Sequence, residues 1–257
     1  MKTADLRFIL AVPVISLLIA CRGEDSGSPS TPTSARVDSG APAGSAAVTV
    51  NRYTTNFPLT ENPISEGGRW INGGAVGLDW TNVSTQAGLA IGRQVGASYT
   101  DATALLTGTW GPDQMVSATV HTVNQNDACF QEAELRLRSA ISAHVNKGYE
   151  ISFKMSQTSA AYVIIVRWNG PLGNFTYLFK PARDAKFGIK DGDVISASVV
   201  GNVITAYKNG AQMARVTDNT YTAGNPGMGF NLESAPAGCS GTNGDYGFTS
   251  YSATDAP

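Results

Sequence analysis

The sequence is poor in the residues from which metal and nucleic-acid sites are built. It holds 2 histidines and 3 cysteines in 257 residues. Neither histidine stands at ligand spacing from a cysteine, which argues against a zinc site. Charged residues make up 15%, and 18 basic against 20 acidic side chains leave a formal net charge of −2. A chain so balanced lacks the electrostatic grip that nucleic acid requires, so that partner class is excluded. No long 3.6-residue hydrophobic period is present, and long amphipathic helices are not expected. Gly92, Gly96 and their neighbours follow no strand-to-helix pattern, so they read as loop residues and not as a phosphate cradle. The uninterrupted apolar run at residues 8–20 falls short of the roughly 20 residues that a membrane span needs.

That run is informative for another reason. It follows Lys2 and Arg7 and ends in Leu18-Ile19-Ala20-Cys21, the three-part shape of a secretory signal. The Leu-Ile-Ala-Cys stretch resembles the lipobox of bacterial lipoproteins. The resemblance implies removal of residues 1–20 and thioether lipidation of Cys21; an ordinary signal cut at a small-residue site is the alternative. Arg22 follows, where an aspartate would resemble an inner-membrane retention signal, so the resemblance implies the outer membrane of a two-membrane bacterium. Residues 21–48 are dominated by Ser, Gly, Pro, Thr and Ala, a composition that cannot bury enough apolar surface to offset ordering. They are expected to form a flexible tether.

Residues 49–257 are long enough for one sizeable core. With 28 glycines, frequent Val, Thr and Ser, and short alternating runs between turn signals, they read as all-β. Residues 193–218 carry the clearest pattern: strands at 194–200, 203–208 and 212–217 separated by Gly201-Asn202 and Asn209-Gly210. Asn-Gly is the strongest short hairpin signal, because both central residues of that turn need positive φ. Three further strands separate their faces. Residues 130–138 set Ala133, Leu135 and Leu137 against Glu132, Glu134, Arg136 and Arg138; residues 149–155 set Tyr149, Ile151, Phe153 and Met155 against Glu150, Ser152 and Lys154. Residues 114–122 turn Val116, Ala118 and Val120 inward and His121 outward. If these strands are neighbours, their polar faces form one charged surface. Residues 162–169 and 175–180 are more continuously apolar, as central strands would be, and the second carries the row Phe175, Tyr177 and Phe179.

The GYEISF strand, the IVRWNG strand and turn, the GDVISASVVGNVITAYKNG meander and PGMGF together resemble the concanavalin A-like lectin and glucanase superfamily, particularly its laminin-G-like members. The resemblance spans about the last 125 residues and implies a two-sheet antiparallel jelly-roll sandwich. That fold hosts lectins, adhesion modules, glycosidases and lyases alike. Cys129 and Cys239, an even pair in an exported chain, read as a disulfide.

Enzymatic signatures are thin. Glu134-Leu135-Arg136 is similar to the Glu-Leu-Arg core of jelly-roll alginate lyases, which implies that Arg136 neutralises a uronate, with His121 on the same face and Tyr177 as acid. Yet Val120-His121 precedes the arginine strand where the family's Gln-Ile-His follows it, and residues 246–251 lack the family's lysine. The Glu-x-Asp-x-(x)-Glu triplet of glucanases is absent. Glu132 and Glu134 beside Arg136 and Arg138 read more simply as an exposed salt-bridge lattice. Asp191, Asp193, Asp245 and Asp255 admit a laminin-G-like calcium site, but turn acids are the commoner case; no cofactor is implied otherwise. Trp70, Trp80 and Trp110 suit either sugar stacking or core packing, and Trp168 the core.

Two functions follow. The first is an envelope-anchored, non-catalytic module that grips a glycan or cell-surface partner through Glu134, Arg136, Arg138, Glu150, Lys154, Arg167 and Asn169. The second is a carbohydrate-active enzyme, most plausibly a lyase on an acidic polysaccharide, using His121, Arg136 and Tyr177.

Overall fold

Alternation with turn punctuation gives strands that must bury one face each, and here they do so in two packed sheets. A computed structural model describes residues 50–94, 100–233 and 238–257, all within one compact unit. Cys21, the signal segment and the linker lie outside the described residues. The first sheet runs β13 (Ala211–Thr217), β12 (Val203–Lys208), β11 (Val194–Val200), β6 (Gln114–Thr122), β15 (Tyr246–Thr254), β4 (Leu89–Ile91) and β3 (Ser84–Gln86), and β1 (Arg52–Thr55) also pairs with β15. The second runs β10 (Phe175–Phe179), β9 (Val163–Gly170), β8 (Val145–Lys154), β7 (Phe130–Ser142), β14 (Asn225–Glu233), β5 (Ala102–Leu106) and β2 (Trp70–Asn72). The strand ladders within both sheets are antiparallel, and the architecture is a jelly-roll sandwich.

The β11–β12–β13 meander forms where the turn residues require it. Asn209 and Gly210 take φ of 51° and 79°, as the two-residue hairpin demands. Between the sheets, Val116, Ile195 and Ile204 of the first meet Leu135, Ile151 and Ile165 of the second in one fully buried core. Cys129 and Cys239 are bonded, 110 residues apart in sequence.

Two expectations are corrected. β6 does not neighbour β7: it belongs to the first sheet, between β11 and β15. Alternation fixes which residues face the core and leaves open which sheet a strand joins. β10 is an edge strand and β9 its neighbour, not a central pair. Their apolar character comes from a second buried cluster of Leu78, Trp80, Val166 and Trp168 on the outer face of the second sheet, with Phe175 packed against it. Trp168 is therefore buried, but outside the inter-sheet core.

Candidate functional site

The outer face of the second sheet gathers the chain's buried charge. On β7, Glu132, Glu134 and Arg136 point away from the core because Ala133, Leu135 and Leu137 point into it. Registration sets Lys154 opposite Glu132, Ser152 opposite Glu134 and Glu150 opposite Arg136. On the other side, β14 places Gly229 opposite Glu134 and Gly227 opposite Arg136. A Cβ at Gly229 would collide with Glu134 Oε2 and stand 3.0 Å from Arg136 Nη2, so glycine makes the space that this pair fills. Asp101, immediately before β5, completes the cluster.

Arg136 is at its centre. Nη2 donates to Glu134 Oε2 at 2.5 Å and lies 3.6 Å from Asp101 Oδ2, Nη1 lies 2.7 Å from Glu150 Oε2, and the guanidinium stacks 4.7 Å from the Trp80 ring centroid. All four ionic partners are buried, Arg136 at 1% exposure and Glu134 at 0%. This overturns the reading of an exposed lattice: Trp80 and Trp168 cover it, and they arrive from segments distant in sequence. Burial, reinforced by the Glu150 carboxylate, holds Asp101 and Glu134 well above the usual carboxylate range, against the pull of Arg136. Asp101, Glu134 and Glu150 are the one group of metal-ligating type among the described residues, with carboxylate oxygens within 4.8 Å of one another. The guanidinium contacts all three and supplies the positive charge there.

A groove of about 330 Å³ opens beside this cluster. Its floor is Asp101, Glu132, Glu150 and Asn231, and Trp168, Phe175 and Tyr177 form one wall. Glu132 and Glu150 are fixed by protein donors. Tyr162 Oη and Asn231 Nδ2 each donate to Glu132 at 2.6 Å, and Ser152 Oγ donates to Glu150 Oε1 at 2.7 Å while Trp168 Nε1 donates to Oε2. Burial raises Glu132 above its ordinary value despite these donors. On the wall, the rings of Trp168, Phe175 and Tyr177 follow one another at centroid distances of 5.0 and 5.1 Å, and Tyr177 is 42% exposed. Lys180 and Arg183 stand at the rim.

The candidate residues separate. Glu134, Arg136 and Glu150 meet as described. Lys154 shares their face but is buried, its Nζ donating to the Cys129 carbonyl, and burial lowers its pKa to about 8. Arg138 leaves the face. A bulge between Leu137 and Ala140 puts it at φ 45°, and its guanidinium donates to the carbonyls of Pro112, Tyr221 and Gly201 at 2.6–2.9 Å. Arg167 and Asn169 also leave it: on β9 it is Val166 and Trp168 that line the groove, while Arg167 Nη1 bonds Asp218 and Thr220. His121, Arg136 and Tyr177 do not converge. His121 lies on the outer face of the first sheet, 3.2 Å from Asp191, so the core separates it from Arg136. The lyase geometry is therefore not present.

Trp70 and Trp80 are buried, and Trp110 packs partly against the core. Asp191, Asp193, Asp245 and Asp255 accept hydrogen bonds from the backbone N–H groups of Thr122, Lys190, Thr242 and Gly111, as acids that cap turns and loops do. Sequence reasoning missed Asp101, Tyr162, Lys180 and Arg183. The one local signal was two cations, Lys180 and Arg183, within four residues of the end of the aromatic row of β10.

No protein-family model and no curated protein matches the chain. Among solved structures, the metal-free carbohydrate recognition domain of Emp46p superposes with a TM-score of 0.50 at 10% identity, covering 80% of this chain and 97% of that one. The carbohydrate-binding module CBM66 from Bacillus subtilis gives 0.45 at 13% identity, with 72% and 91% covered. The kappa-carrageenase of Pseudoalteromonas carrageenovora gives 0.46 at 12%, with 83% and 97% covered. At these identities the likeness is one of fold.

Proposed function

We propose that the protein is an envelope-anchored glycan-binding module, tethered through Cys21 and residues 21–48, that holds a saccharide in the groove on the outer face of its second sheet. The observation that carries this reading is the groove itself: exposed Tyr177 and its neighbour Phe175 form an apolar wall beside a floor of oriented acceptors on Glu132 and Glu150. A sugar ring offers one apolar face and a girdle of hydroxyl donors, and this pairing of surfaces suits both. Emp46p's superposable domain is itself described as a carbohydrate recognition domain.

Binding is favoured over cleavage. Glycosidic hydrolysis asks one carboxyl to give a proton and another to attack or to activate water. Glu132 and Glu150 each have both oxygens engaged by protein donors, and Glu134 is sealed from the groove. The test is a glycan-array screen followed by calorimetric titration of the best ligand against the wild type and Tyr177→Ala, with product analysis of the same mixtures. The reading predicts saturable binding, weakened at least tenfold by Tyr177→Ala, and no new reducing ends or unsaturated product. Chain cleavage would overturn the non-catalytic half, and the absence of any glycan ligand the whole.

A further inference from the structure

Buried acids make the floor, where Glu132 and Glu150 are already engaged by Tyr162, Asn231, Ser152, Trp168 and Arg136. The outer lining carries two cations, Lys180 and Arg183, and one half-buried acid, Glu233. Lys180 Nζ stands 3.9 Å from the Tyr177 ring centroid, and the Arg183 guanidinium lies 5.4 Å from Tyr162 and 5.7 Å from Phe130. All three rings line the groove. Both cations are exposed, and neither forms an ion pair with a described carboxylate. Asp184, the acid next to Arg183 in sequence, pairs instead with Lys186 at 3.5 Å. Cation–π contact costs a cation little of its capacity to meet an anion, because it occupies the face and leaves the N–H donors free. Two long side chains that would otherwise sample many rotamers are thus held over one opening.

From this arrangement we propose that the groove's ligand is a glycan bearing an anionic substituent, a sulfate ester or a uronate carboxylate, directed outward to Lys180 and Arg183 while ring hydroxyls donate to Glu132 and Glu150. This rests on the glycan-binding reading and adds its charge class. The chain's net charge of −2 supplies no general attraction for a polyanion, so the attraction must be local. The outward direction also follows: turned inward, the substituent would face Glu132, Glu150 and Asp101.

The experiment titrates the protein with four polysaccharides: a sulfated galactan, the same polymer after desulfation, a polyuronate, and the same polymer after carboxyl reduction. Wild type is compared with Lys180→Met/Arg183→Met, whose exposed sites leave the fold intact as checked by thermal unfolding, and with Tyr177→Ala. The proposal expects at least one anionic polymer to bind more tightly than its neutral counterpart, and the sulfate and uronate pairs identify which anion. The double variant should lose roughly tenfold for that anionic polymer and less than twofold for the neutral one. Raising NaCl should shrink the difference, since exposed charges are screened beyond about 8–10 Å at moderate salt. If neutral and anionic forms bind alike and the double variant matches wild type, the charge class is wrong while the glycan reading stands. If no polymer of either kind binds, both fall together.

Discussion

Replacing Arg136 by methionine removes the one cation among the described residues that touches Asp101, Glu134 and Glu150, and leaves the stem volume that packs beneath Trp80. Taking one partner from a buried ion pair strands the other charge, at a cost of about 3–5 kcal/mol. Here the stranded carboxylates are three and the site is closed, so the upper part of that range is expected at neutral pH. The pH dependence carries the mechanism. Burial already raises the folded-state pKa of Asp101 and Glu134 above their ordinary 3.8 and 4.5, and loss of Arg136 raises them further. A carboxyl with a raised folded pKa contributes stability that is fully present below its unfolded value and is lost as pH rises through the folded one. The deficit of Arg136→Met should therefore be about 4–5 kcal/mol at pH 7.5 and smaller at pH 4.5, because Asp101 and Glu134, with their raised folded-state pKa values, take up protons as pH falls. Urea unfolding followed by tryptophan fluorescence at both pH values measures this. Adding Glu134→Gln to the variant should recover part of the loss at pH 7.5 only. A deficit below 1 kcal/mol, or one equal at the two pH values, would refute the account of a buried, charge-balanced floor.

Three further outcomes are expected. Removing the Cys129–Cys239 bond by the double alanine substitution frees a 110-residue loop, which the chain-entropy treatment values at about 5 kcal/mol, so the urea midpoint should fall sharply and wild type under reductant should follow it. Gly229→Ala places a methyl group against Glu134 Oε2, Arg136 Nη2 and the Ala102 carbonyl and should destabilise by about 1–3 kcal/mol, with only part of the loss relieved in an Arg136→Met background, where Glu134 is freer to move but the backbone carbonyl is not. Cys21→Ser should abolish incorporation of a fatty-acid label and move the protein from the membrane to the soluble fraction; an unchanged membrane fraction would discard the lipid tether.

Local chemistry made part of this fold legible. The β11–β13 meander could be read because Asn209-Gly210 dictates a turn and the strands beside it alternate. The inward and outward residues of β6, and of β7 as far as Leu137, followed for the same reason. What failed was non-local. No feature of residues 114–122 says that β15 and β11 will claim that strand, and none of residues 132–136 says that Trp80 will close over them. Arg138 was lost to a bulge that rotates it off its face, a deviation that period-2 reasoning cannot contain. Arg167 and Asn169 were lost because β9 is apolar on both faces, so its pattern did not reveal which side was out. Of the groove, Glu132 and Glu150 were read as outward residues, whereas Asp101, Tyr162 and the rim cations belong to segments that only the folded sheet brings together.

The buried floor also bears on what a bound sugar can gain. A carboxylate oxygen has two lone-pair directions, and the donors fixed on Glu132 and Glu150 use one or two of them on each oxygen. Glu150 Oε2 carries both Trp168 and Arg136, but a glycan hydroxyl can add a hydrogen bond to a Glu132 oxygen or to Glu150 Oε1 without breaking one, onto acceptors whose rotamers are already held. That rigidity favours recognition and opposes turnover, because an acid or nucleophile must be released from such bonds before it reacts. On the proposed reading the floor would supply direction, the Phe175–Tyr177 wall an apolar face, and Lys180 and Arg183 a choice between ligands of like shape and different charge. A protein built in this way should bind weakly to any single neutral sugar and gain its selectivity from what the sugar carries.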